Sequence, residues 1–260
     1  MTASDIITYM ESLRDDAQRE VLMSFFKTAP GEYGHGDEFL GLRVPQTREV
    51  VRKVVDVPLD QVPQLLHSRW HEVRLCGLLL MVARFERLSR PKLAEDVDAI
   101  RARDEIVSMY LRHAECANNW DLVNLSAPKI LGNWLMLPTA LEGVGRVSVA
   151  ESRPYKMKVL DDLADSENLW RQRMSMVCTW MPSHEGDPSY CLRYAEKHLR
   201  HQHDLMHKAV GWMLREMGKH VSMDLLREFL KSHLHDMSRT TLRYAIEKMS
   251  PEERRSWLEQ

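Results

Sequence analysis

Apolar residues recur at three- and four-residue spacing along almost the whole chain, and that single period confines it to helical architectures. Within residues 3–27, Ile6, Ile7, Met10 and Leu13, then Val21, Leu22, Phe25 and Phe26, fall on helical faces. No alternating run bounded by Asn-Gly or Asp-Gly turns marks a β-hairpin. Proline punctuates the pattern. Pro58, Pro91, Pro154, Pro188 and Pro251 each stand where a helix is expected to begin, a position that tolerates the missing N–H. Ser250-Pro251-Glu252-Glu253 has the form of a capping box. The expectation is about a dozen helices of roughly 10–18 residues joined by short loops. The glycine-rich stretch Gly31-Glu32-Tyr33-Gly34-His35-Gly36-Asp37 follows no strand and lacks GxGxxG spacing, so it reads as a connecting loop and not a dinucleotide cradle.

The helix openings resemble one another. They are Trp70-His71-Glu72-Val73-Arg74, Trp120-Asp121-Leu122-Val123-Asn124, Trp170-Arg171-Gln172-Arg173-Met174, Met206-His207-Lys208-Ala209-Val210 and Ser238-Arg239-Thr240-Thr241-Leu242. Trp70, Trp120 and Trp170 fall 50 residues apart, Arg173 and Lys208 are 35 apart, and Lys208 and Arg239 are 31 apart. Intervals of this size each hold about one helix pair, near the ~40–47 residues of HEAT-type repeats. The fold expected is therefore all-α, a superhelical array of HEAT-like helix pairs forming one domain over residues 1–260, with the equivalent helix starts on one concave side.

Composition narrows the function classes. The formal net charge of −2 excludes a protein that is basic all over, so any nucleic-acid site must be one cationic face on a mixed surface. Cys76, Cys116, Cys178 and Cys191 form no CxxC pair, and three of them lie in apolar helical patterns, so they read as small hydrophobes and not as a disulfide or zinc framework. The first residues, MTASDIITYMESL, lack a signal peptide's charged and apolar regions, and no apolar run reaches the ~18 residues of a membrane span. A cytoplasmic protein is the expectation. His198, His201, His203 and His207 are the densest histidine group, but no cysteine or HExxH pattern accompanies them, so they read as a solvated or interfacial cluster. His71 and Glu72, just before Arg74, read equally as facing a groove or as ordinary surface. No Gly-x-Ser-x-Gly elbow or Walker loop is present.

The helix starts carry cations and flat aromatics. Lys208, Trp212 and Arg215 lie at i, i+4 and i+7, Arg239 and Arg243 at i and i+4, Trp170 and Arg173 at i and i+3, and Trp120 and Asn124 at i and i+4. Each pair alone is compatible with a core tryptophan and a snorkelling neighbour. Packing does not require a cation at successive helix starts, whereas a nucleic-acid backbone does.

Phe39-Leu40-Gly41-Leu42-Arg43-Val44-Pro45, Asn119-Trp120-Asp121-Leu122-Val123, Trp170-Arg171-Gln172-Arg173, Lys208 through Glu216 and Ser238 through Ile246 make the chain similar to the AlkD family of DNA alkylation-repair glycosylases from about Phe25 to Leu258. The resemblance implies a monofunctional glycosylase that hydrolyses the N-glycosidic bond of cationic N3- or N7-alkylpurines in duplex DNA. It implies a monomer that uses no metal, organic or nucleotide cofactor and no membrane. The two tryptophans and the arginine that contact the lesion-bearing backbone in the family fall on Trp120, Trp212 and Arg173. Arg173, Lys208, Arg239 and Arg243 are the expected phosphate contacts, and Arg215 and Trp170 are further DNA-binding candidates by their place on the same helix starts. The family's catalytic aspartate falls on Asn124. An amide offers only a dipole to the developing oxocarbenium charge, and loss of one preorganised electrostatic contact costs about 10²–10³-fold in rate. Asp121, one turn earlier on the same helix, is the candidate substitute, although an acid in a first turn is also favoured by the helix dipole alone. The alternatives are a non-catalytic DNA-binding relative and a HEAT-like scaffold for protein partners.

Overall fold

A computed structural model describes all 260 residues. The protein is all-α apart from one small antiparallel hairpin, Thr139–Leu141 with Gly145–Val147. The five similar openings are all helix starts. Trp70 caps His71–Leu88, Trp120 begins Trp120–Ala127, Trp170 is second in Leu169–Val177, Met206 is third in Asp204–His220, and Ser238 caps Arg239–Ala245. No helix is long and apolar enough to cross a membrane.

Two local expectations need correction. Pro154 lies inside the helix Val149–Ala164 and does not open it. Ser148 and Glu151 start that helix with a reciprocal capping box (Glu151 N–H to Ser148 Oγ, 3.3 Å; Ser148 N–H to Glu151 Oε2, 2.9 Å), so the proline costs one backbone bond within an already nucleated helix. At Ser250 only half the expected box forms. Its hydroxyl accepts the Glu253 N–H at 3.2 Å, but the Glu253 carboxylate is drawn to the Arg227 guanidinium at 2.7 and 3.1 Å.

The chain divides into two compact units, Met1–Ser126 and Ala127–Gln260. In the first, the helix His71–Leu88 is buried for most of its length, with Val73, Leu75, Cys76, Leu78, Leu79, Leu80 and Met81 all inside. A helix that is apolar on every side belongs at the centre of a unit. It packs against the helices Val44–Val54, Val62–Leu66 and Val97–Arg112. The segment 37–42 is bound to the start of this helix. Glu38 C=O accepts the His71 N–H at 2.8 Å. The buried Glu72 carboxylate accepts the N–H groups of Leu40, Gly41 and Leu42 at 2.9, 2.8 and 3.0 Å. Gly41 has φ +92°, and a Cβ there would lie 2.0 Å from the Asp15 carbonyl oxygen, so only glycine fits this crossing.

In the second unit the corresponding central helix is Asp204–His220, packed on Arg239–Ala245, Leu169–Val177 and Ser189–His198 among others. Gly211 permits the closest of these approaches, since a Cβ there would meet the Thr241 carbonyl oxygen at 2.4 Å. Cys76, Cys178 and Cys191 are buried free thiols, as small core hydrophobes should be, and Cys116 is half-buried.

Candidate active site

The first unit holds a cavity of about 510 Å³ lined by apolar and aromatic side chains, among them Phe26, Phe39, Trp120 and Leu125, and by the polar groups of His71, Glu72, Asp121 and Asn124. Its walls come from the helix Asp16–Phe25 and its end, the bound segment 37–42 with the start of the helix Val44–Val54, and the starts of the helices at His71 and Trp120.

The aromatic wall is layered. Phe26 stacks on Phe39 (ring centroids 5.2 Å, 16° between planes) and on Trp120 (5.4 Å, 29°). Phe39 in turn stacks on the His71 imidazole at 4.4 Å. The Trp120 indole N–H donates to the Tyr33 hydroxyl at 3.2 Å, which fixes the plane of the ring. Electron-rich ring faces of this kind attract cations.

Behind the rings runs a buried chain of charges. The Arg74 guanidinium donates to Asp37 Oδ1 and to the Ser68 and Arg69 carbonyls, the latter two at 2.9 Å. Asp37 Oδ2 accepts from His71 Nδ1 at 2.8 Å, and Asp121 Oδ2 accepts from His71 Nε2 at 2.9 Å. Burial by itself disfavours the imidazolium, yet the two flanking carboxylates, Asp121 first, overcome that penalty and raise the His71 pKa to about 9. His71 is therefore protonated at neutral pH and donates from both nitrogens. Burial opposes the charge of Asp37 too, but His71 and Arg74 hold its carboxyl below the usual carboxylate range. Asp121 differs from Asp37 in one respect. Its Oδ1 is buried and has no hydrogen-bond partner, while the residue as a whole is 6% exposed and lines the cavity.

The structure thus brings Trp120, Asp121 and Asn124 to one cavity. It also corrects the surface reading of His71 and Glu72, which are 2% and 1% exposed. Asp37, Tyr33, Phe26 and Phe39 belong to the site but were not singled out by sequence reasoning. The available signal is the His-Glu-x-Arg opening, His71-Glu72-Val73-Arg74, on an otherwise apolar helix, because charges at such a start require buried partners elsewhere.

The remaining site candidates lie in the second unit. Trp170 and Arg173 are buried, and the Arg173 guanidinium donates to the Leu205 carbonyl, with burial lowering its pKa to about 10. Lys208 pairs with Asp204 at 2.8 Å, and Arg215 is held by Glu216 at 2.9 Å and by Glu247. Trp212 is half-buried, whereas Arg239 and Arg243 are exposed, with Arg239 donating to the Leu258 carbonyl. Of the histidine group, expected as a solvated or interfacial cluster, His201, His203 and His207 are half-buried and only His198 is inside. His198 is buried against the Ser175 hydroxyl at 2.9 Å, burial pushes its pKa down to about 4, and His201 meets Gln172 at 2.8 Å.

The chain belongs to the DNA alkylation repair enzyme family, whose family model matches residues 6–249. Among solved structures it is similar to a "Predicted DNA alkylation repair enzyme from Enterococcus faecalis", with a TM-score of 0.63 and 14% identity over 92% of this chain and 97% of that one, a likeness of fold. No curated protein sequence matches the chain.

Proposed function

We propose that this protein is a monofunctional DNA glycosylase that hydrolyses the N-glycosidic bond of cationic N3- or N7-alkylpurines in duplex DNA. The observation that carries the reading is Asp121, whose Oδ1 has no hydrogen-bond partner and which lines an aromatic-walled cavity with Trp120 and Asn124. The alkylated base leaves with the electron pair of the C1′–N bond and becomes neutral, and the sugar is left as an oxocarbenium ion. A carboxylate next to that centre stabilises the charge, and its free oxygen accepts the proton of the attacking water. The Trp120 ring, backed by the buried Phe26, favours a cationic partner over its neutral counterpart. In the second unit, Lys208, Arg239 and Arg243 bind phosphates, with Trp212 against the sugar-phosphate backbone.

The test is release of 7-methylguanine from methylated duplex DNA by equimolar protein, with Asp121→Asn alongside. Release that falls by about 10²-fold or more in the variant supports the reading. No release from the parent overturns it.

One observation favours a second reading, a DNA-binding relative without turnover. The His71 imidazolium already neutralises much of the Asp121 charge, and Asn124 supplies none. Asn124→Asp separates the two: a large gain from an inert parent supports the second reading, and an active parent excludes it.

A further inference from the structure

Away from the aromatic cavity, the first unit gathers three good metal ligands that no part of the proposed glycosylase chemistry uses. His67 Nε2 and His113 Nδ1 are 3.1 Å apart, and the Cys116 Sγ lies 3.6 Å from His67 Nδ1 and 4.0 Å from His67 Nε2. One ligand atom from each residue falls within 4.8 Å of the other two. His67 is exposed, and His113 and Cys116 are half-buried, so the group is open to solution without being loose surface.

The backbone fixes all three. His67 is the C-cap of the helix Val62–Leu66, and its N–H is bound to the Pro63 carbonyl at 3.0 Å. His113 caps the helix Val97–Arg112 and also begins the 3-10 turn Ala114–Cys116, where the Cys116 N–H meets the His113 carbonyl at 3.0 Å. Residues i and i+3 eclipse in such a turn, which is why His113 and Cys116 present to the same side.

We propose that His67, His113 and Cys116 form a binding site for a zinc-class divalent ion, with a fourth position left to water. The spacing argues for it. A tetrahedral ion with metal–nitrogen bonds of about 2.0–2.1 Å and a metal–sulfur bond of about 2.3 Å needs ligand edges of about 3.3 Å between nitrogens and about 3.6 Å between nitrogen and sulfur. With His67 Nε2 as the ligand atom, the edges are 3.1 Å to His113 Nδ1 and 4.0 Å to Cys116 Sγ, each within a few tenths of an ångström of these values and closed by a small side-chain rotation. The donor set of two imidazoles and one thiolate suits zinc, cobalt, nickel or copper and not magnesium or calcium.

Cys116 ligates as a thiolate, so ion binding displaces its proton to solvent and strengthens with pH. The ion would join the ends of the helices Val62–Leu66 and Val97–Arg112, four residues before Trp120. The site stands independently of the glycosylase reading.

The experiment titrates the metal-stripped, reduced full chain with Co²⁺ and then Zn²⁺. The expected result is one Co²⁺ per chain with intense visible bands of tetrahedral cobalt and a near-ultraviolet thiolate-to-cobalt charge-transfer band, all abolished by Zn²⁺. Cys116→Ser removes the charge-transfer band, and His67→Gln weakens binding at least about tenfold. Circular dichroism of the metal-free variants shows that they remain folded, and a variant that misfolds is replaced by His113→Gln at the same site. No charge-transfer band at saturating Co²⁺, or one that survives Cys116→Ser, overturns the proposal. So does cobalt held only without thiolate, as at His203 and His207.

Discussion

The charge chain through His71 makes the stability of the protein depend on pH in a window that few other groups share. His71 is buried and protonated, with its pKa raised from 6.5 to about 9 by Asp121 and Asp37 against the cost of burial. A raised folded-state pKa contributes stability that is complete below pH 6.5 and lost as pH climbs through about 9. Between those limits the unfolded chain has released the proton and the folded chain keeps it. Stability therefore falls by about 1.4 kcal/mol per pH unit, or about 3 kcal/mol across the window. Other groups act outside it. Burial lowers the pKa of His198 to about 4, so its effect lies at acid pH, and Cys76 and Cys191, pushed up to about 12, act only above about pH 9. The assay is urea unfolding at half-unit steps from pH 6 to 9.5, with the His71 ring proton followed by NMR. Asp121→Asn, which keeps the shape but removes the larger of the two raising charges, should flatten the slope and lower the His71 pKa. A parent whose stability is level from pH 6.5 to 9, or a His71 that titrates at or below 6.5, refutes the reasoning.

Three further outcomes follow from the same geometry. Glu72→Gln replaces a carboxylate that accepts three backbone N–H groups, and the loss of about 1–3 kcal/mol is read from the urea midpoint. Gly41→Ala puts a Cβ against the Asp15 carbonyl at positive φ, so destabilisation of at least about 2 kcal/mol is expected, with the largest increase in amide exchange at residues 37–42. Arg243 is exposed, and Arg243→Ala should weaken duplex binding and lower the salt slope by about 0.9 if it neutralises one phosphate, measured by fluorescence anisotropy at several salt concentrations.

What was legible in the sequence depended on how local the cause was. The helix starts at Trp70, Trp120, Trp170, Met206 and Ser238 were legible because a helix's period and caps are set within a few residues. Pro154 misled because the stronger local signal, Ser148 with Glu151, lay upstream, six and three residues before it. The candidate site was half legible. Trp120, Asp121 and Asn124 fall within one turn and share a cavity. What makes Asp121 distinctive is His71, 50 residues away, and what charges His71 is also Asp37, 34 residues away in a segment that reads only as a glycine-rich loop. Likewise Cys116 lies 49 residues from His67, so neither the four-cysteine spacing nor the His198–His207 run pointed to that cluster. Each of these partnerships depends on the segment 37–42 or on helix ends meeting across the first unit, and no sequence period encodes such a meeting. A charged residue placed at the head of an otherwise apolar helix does carry information about it. Burying His71, Glu72 and Arg74 without partners would cost more than a marginally stable unit can bear, so their opposites had to exist somewhere in the fold.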